Sequence, residues 1–171
     1  QDAADALRDL QEKESPAQYI EPGKIKELTA LAKPSIVTVR QLGRDGKSRG
    51  TGSGFIVSEE GLIVTNLHVI GEGRPIEVEL HDGIVKPVTE VFAWDRRYDL
   101  AVIRVEPGKA ELKALPLADA GKAGQGQLIA GFGAPQGLSF SVVAGVISAI
   151  RELEDGFVGD ETPDYPMLQL A

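Results

Sequence analysis

With 171 residues, 42% hydrophobic and 26% charged, the chain has the composition of one large folded domain or two small ones, which excludes a globally disordered polymer. Its length allows roughly 70% of the unfolded surface to be buried. A net charge of −8 argues against nucleic acid or an anionic membrane as partner; the absence of cysteine excludes disulfides and thiolate metal sites; and two histidines are too few for a His-rich zinc centre.

Residues 1–22 are acidic and Ala-rich, with weak helical spacing at Ala3, Ala6, Leu7 and Leu10, and read as an N-terminal appendage. The first residue is Gln1, not Met, so the expectation is that something upstream was removed, by signal cleavage or at a cloning boundary. A short helix is expected over Gly23–Leu31, with Ile25, Leu28 and Leu31 on one face, stopped by Pro34.

Strand signals follow. Ser35–Arg40 is rich in β-branched residues, and Gln41–Gly50 reads as a polar loop. Gly54–Ser58 and Leu62–Thr65 form a hairpin across Glu59-Glu60-Gly61, while Ile76–Leu80 alternates polar and apolar. His81-Asp82-Gly83 is a turn that tolerates positive φ, which leaves His81 as an exposed turn residue. Ile84–Trp94 and Leu100–Val105 complete about six strands, a set that suits a small closed barrel or a sandwich.

Residues 107–126 are turn-rich and linker-like. Strands resume at Gln127–Gly131 and Phe140–Ile150; the second, with Ser141, Gly145 and Ser148 inside it, is too short for the ~20 residues of a membrane span. Glu152–Asp164 holds six acidic and no basic residues and reads as a solvated loop. Met167–Leu170 has the look of a strand just beginning. The division read from the residues is therefore 1–22 appendage, 23–106 a first set of strands, 107–126 linker and 127–171 a second, shorter set.

Two motifs carry chemistry. Thr65-Asn66-Leu67-His68-Val69-Ile70 follows an apolar strand and puts a histidine where the chain turns and a side chain can face a cleft. Tyr98-Asp99-Leu100-Ala101-Val102-Ile103 puts a carboxylate at the mouth of a buried strand. An aspartate there is often only a turn residue, but it is also placed to accept the Nδ1–H of a histidine on a neighbouring strand and fix its tautomer. Ser53, between Gly52 and Gly54, lacks the Gly-x-Ser-x-Gly spacing of a nucleophile elbow and reads as structural. Gly124-Gln125-Gly126 and Gly131-Phe132-Gly133 lack the third glycine of a dinucleotide fingerprint, and no Walker lysine is present.

The run GTGSGFIVSEEGLIVTNLHVI, followed by YDLAVIRV, resembles the HtrA (Deg) family of trypsin-like serine endopeptidases, and the likeness extends to Gly131–Gly137 and Ser141–Ile150. The resemblance implies an all-β fold, a chymotrypsin/trypsin-like double β-barrel with a short N-terminal helix, the N-terminal barrel complete and the C-terminal barrel incomplete. It implies that His68 is the catalytic base and Asp99 its orienting acid, with the nucleophilic serine in a Gly-Asn-Ser-Gly-Gly segment expected beyond Ala171. The 171 residues alone are then expected to be inactive. The implied substrate is polypeptide, in quality control of unfolded proteins, with no metal or organic cofactor. The implied setting is extracytoplasmic, the bacterial periplasm or cell envelope, with a homotrimer as the family's common assembly. The family's counterpart of the acidic loop senses allosteric ligands or adjacent domains. A non-catalytic protease-like module that binds peptides or partners is the alternative; the codons after Ala171 discriminate the two.

Overall fold

The structure is a computed structural model that describes residues 22–71, 73–118, 120–133, 140–151 and 167–170. The acidic Glu152–Asp164 stretch, all of the expected 1–22 appendage except Pro22, and Ser139 lie outside the described residues. Helix α1 (Pro22–Ala32) leads through a 3-10 turn, Lys33–Ser35, into the first strand. Pro34 falls at the start of that turn, where its missing N–H leaves no hydrogen bond unmade. The expected apolar helix face is largely uncovered: Leu28 is 44% and Leu31 65% exposed, and the side chain that α1 buries is Ala32.

Six strands close into a barrel in the order β1-β2-β3-β6-β5-β4. They are β1 (Ile36–Leu42), β2 (Ser48–Ile56), β3 (Leu62–Asn66), β4 (Ile76–Glu79), β5 (Val85–Asp95) and β6 (Leu100–Val105). All pair antiparallel, and β1, β3 and β6 send alternate side chains inward. Val37 and Val39 of β1, Ile56 of β2, Ile63 of β3, Val78 of β4 and Ala101, Ile103 and Val105 of β6 form the core. Leu112, from the segment between the two sheets, plugs the same core, and its neighbour Leu115 N–H donates to the Ile56 carbonyl at 2.8 Å. Closure leaves no exposed barrel edge.

The β1–β2 pairing runs further than the sequence suggested. Gln41 pairs with Gly50 and Leu42 with Ser48, so the loop is reduced to residues 43–47. The turn at His81 forms as expected, with the Ile84 N–H donating to the Asp82 carboxylate at 3.0 Å.

A second, three-stranded sheet has the order β7-β8-β9, built from β7 (Leu128–Gly133), β8 (Ser141–Arg151) and β9 (Met167–Leu170). Its strand β7 lies against α1, β1 and β2. Gly131 and Gly133 are strand residues of β7, and Gly124 and Gly126 belong to the turn before it; none opens a helix. No helix among the described residues is long and apolar enough to cross a membrane.

Candidate active site

The site is built by the β3–β6 ladder and the turns at its end. Ile63 pairs with Ile103, Thr65 with Ala101 and Asn66 with Leu100. Continuing that register one step brings Asp99, just before β6, beside Leu67, where β3 ends in the short helix α2 (Leu67–Ile70). Two residues 31 positions apart in sequence are thereby joined. The His68 N–H donates to Asp99 Oδ1 at 2.9 Å, and His68 Nδ1 lies 2.5 Å from Asp99 Oδ2.

The Asp99 backbone is held as firmly as its side chain. Its carbonyl accepts from the Leu67 N–H at 3.0 Å and from the Asn66 side-chain amide at 3.1 Å. Asp99 is the one non-glycine described residue with positive φ, at 51°. The turn that delivers it is closed by the Tyr98 N–H donating to Asp95 Oδ1 at 3.1 Å, an arrangement that aspartate side chains favour. The β3 end is fastened by buried Thr65, whose hydroxyl donates to the Ser53 carbonyl at 2.8 Å.

The electrostatics follow from these bonds. The His68 backbone N–H, then its ring, hold the Asp99 carboxyl below its ordinary value of 3.8, against an opposing effect of desolvation. An ionised carboxylate only accepts hydrogen bonds, so Nδ1 of His68 must carry the proton toward Asp99. The neutral imidazole then keeps its lone pair at Nε2, facing away from Asp99 and free to take a proton. His68 is 71% and Asp99 45% exposed at the side chain, so this nitrogen is open to a reactant.

His68 and Asp99 border a cleft of about 590 Å³. Its other walls are Leu67 and Ile70 from α2, Val91 and Trp94 from β5, together with Gly71 and the charged Arg96. Trp94, the chain's single tryptophan, is 61% exposed and has the Arg96 guanidinium 5.9 Å from its ring centre.

His68 and Asp99, the two site residues expected from sequence, are brought together. His81 is not; it sits at an exposed turn. His68 donates from its backbone N–H and from Nδ1 to the Asp99 carboxylate, and Ser53 lies on the β2 face that packs toward Gly133 of β7. The sequence motifs did not single out Asn66, Gln41 or Trp94 as site residues. Asn66 immediately before a helix signals a cap, but its amide serves Asp99 instead.

A barrel of this order, carrying a histidine–aspartate pair at the end of one ladder, defines a trypsin-like peptidase. The family profile described as "Trypsin-like peptidase domain" matches residues 52–171. The chain belongs to that family, and within it to the HtrA group. It is 41% identical over 109 residues to a protein named "Probable periplasmic serine endoprotease DegP-like" from Halomonas elongata, covering 64% of this chain and 22% of that one. It is 37% identical over 146 residues to "Serine protease PepD" of Mycobacterium tuberculosis, covering 80% and 30%. It is 33% identical over 140 residues to "Serine protease HTRA2, mitochondrial" of Bos taurus, covering 79% and 30%. Among solved structures, the serine endoprotease from Yersinia pestis superposes with a TM-score of 0.65 at 28% identity, covering 73% of this chain and 44% of that one. The chain thus spans less than a third of the length of these curated relatives.

Proposed function

We propose that the protein is the protease domain of an HtrA-type serine endopeptidase, with His68 as general base and Asp99 as the group that orients it. The observation that carries this reading is the pair of bonds from His68 to one aspartate at the mouth of an apolar cleft. In the reaction, Nε2 of His68 takes the proton of a serine hydroxyl as its oxygen attacks the scissile carbonyl carbon. The imidazolium, stabilised by Asp99, returns that proton to the leaving amine; water then repeats the sequence to release the acyl group. The nucleophile in this reading is a serine of a Gly-Asn-Ser-Gly-Gly segment, which residues 1–171 do not contain.

The same reading divides the chain into an appendage (1–22), a first barrel (23–106), a linker (107–126) and the beginning of a second barrel (127–171). It makes unfolded polypeptide the substrate and an extracytoplasmic compartment, such as the bacterial periplasm, the place of action. It also makes the active form a homotrimer. The apolar walls of Trp94, Val91 and Ile70 support a polypeptide substrate, and the periplasmic naming of one relative supports the location.

The test is hydrolysis of an unfolded protein by the full product of the gene. Cleavage that falls by about 10⁴-fold or more in the His68→Ala and Asp99→Asn variants supports the reading. Binding of the same protein without cleavage would establish instead the non-catalytic module, in which the cleft is kept and the histidine is dispensable.

A further inference from the structure

We propose that Asn66 is a positioning residue whose side-chain amide holds Asp99 in the left-handed backbone conformation that aims its carboxylate at His68. Only the catalytic consequence rests on the reading of His68 as base; the geometry stands without it.

Asp99 has an uncommon backbone. At φ 51° it occupies a region that side-chain-bearing residues visit rarely, aspartate among the more tolerant. A conformation of that kind persists where its surroundings over-determine it. Here the surroundings are two donors on a single carbonyl: the Leu67 N–H at 3.0 Å and the Asn66 amide at 3.1 Å. With its carbonyl pinned this way, Asp99 folds its side chain back over the start of α2 and receives the His68 N–H and ring. Were φ to relax to a negative value, the carbonyl and the carboxylate could not both keep their partners.

Asn66 also stands in an unusual relation to its helix. It occupies the N-cap position, with extended backbone at φ −78° and ψ 144°, yet makes no side-chain capping bond. An N-cap asparagine ordinarily accepts the N–H of the second or third helical residue. The second is His68, and its N–H is taken by the Asp99 carboxylate. Asp99 therefore caps α2 from across the ladder, and the Asn66 side chain is turned to donate in the opposite sense. Three consecutive residues, 66, 67 and 68, all donate to one aspartate. The Asn66 amide also helps, behind the His68 backbone N–H and ring, to keep the Asp99 carboxyl ionised.

The requirement is for a donor on a side chain of this reach. Aspartate at position 66 has the same shape without the donor and adds a like charge beside Asp99. Glutamine keeps the amide on an arm one methylene longer, and the exposed setting of Asn66 leaves room for it.

The experiment compares Asn66→Ala, Asn66→Asp and Asn66→Gln with the parent protein by NMR at low temperature. It reads the downfield Nδ1 proton of His68, the titration midpoint of the Asp99 carboxyl carbon, and the methyl shifts of core Ile63 and Ile103. The expected result is loss of the Nδ1 proton signal and an upward move of the Asp99 midpoint in the Ala and Asp variants. The core methyls stay in place, and the Gln variant retains the signal. Three results would overturn the proposal: an unchanged signal and midpoint in the Ala and Asp variants, displacement of the core methyls along with the signal, or a Gln variant indistinguishable from Ala. None of these readouts requires peptide-bond cleavage, so their failure is separate from failure of the proposed activity.

Discussion

Val69 of α2 packs into the space that a side chain on Gly52 of β2 would fill. A β-carbon built at residue 52 would stand 2.7 Å from Val69 Cγ1 and closer still to Cγ2. The absence of that carbon lets α2, and with it His68, lie against the barrel wall. Gly52→Ala is expected to cost about 1–3 kcal/mol through overpacking and to displace α2 outward. Denaturant unfolding reads the first effect, and weakening of the His68–Asp99 pair in the NMR spectrum reads the second.

The other end of α2 is held by Gln41 of β1, whose amide donates to the Ile70 carbonyl at 3.1 Å. Gly71 follows at φ 59°, and a β-carbon there would collide with that same amide. Gly71→Ala therefore strains the backbone and evicts Gln41 at once. We expect a loss of about 1–3 kcal/mol. Gln41→Ala, which removes only the tether, should cost less; thermal unfolding of the two variants gives the comparison.

Asp99 also sets a pH dependence. Its carboxyl is held below 3.8 in the folded protein, so the unfolded state takes up a proton first as pH falls. The stabilisation it provides is complete above that ordinary value and is lost through the window beneath it, vanishing once the folded carboxyl protonates. Asp99→Asn should thus be less stable than the parent at neutral pH, with the gap closing in acid below 3.8. Urea midpoints of both proteins across that range check the sign.

Ile103 tests the barrel itself. It is fully buried, pairs with Ile63 across the β3–β6 ladder, and lies four residues from Asp99 on the strand that Asp99 precedes. Ile103→Ala is expected to cost about 2–5 kcal/mol through lost burial and the cavity left behind. Equilibrium unfolding measures this directly.

Strand β6 was legible in the sequence to the residue, because Leu100–Val105 is an apolar, partly β-branched run, broken only by Arg104, that begins just past a turn. The first turns of β2 were not. Ser48–Gly54 is a Gly- and Ser-rich stretch with poor strand propensity, and it becomes a strand because β1 supplies a partner along its length. The exposure of the α1 face was not legible for a related reason: periodic spacing shows which residues share a side, not whether anything lies against it. Beyond Thr89, β5 carries both faces to solvent, since register shifts between Val88 and Glu90 and between Val91 and Ala93 break its alternation.

At the site, the residue types His68 and Asp99 were readable, but their meeting depends on the β3–β6 register, which no local pattern encodes. Asn66, Gln41 and Trp94 escaped notice for the same reason: each acts through a neighbour distant in sequence. Trp94 comes beside His68 only because β5 and α2 wall the same cleft.

In the proposed mechanism His68, held by Asp99, activates a serine. The rate at which a fluorophosphonate probe labels the full gene product, compared with its His68→Ala variant, tests this. Covalent labelling of a single serine is expected, slowing by about 10⁴-fold or more when the imidazole is removed. Labelling that is absent from the parent protein, or equally fast without His68, would contradict it.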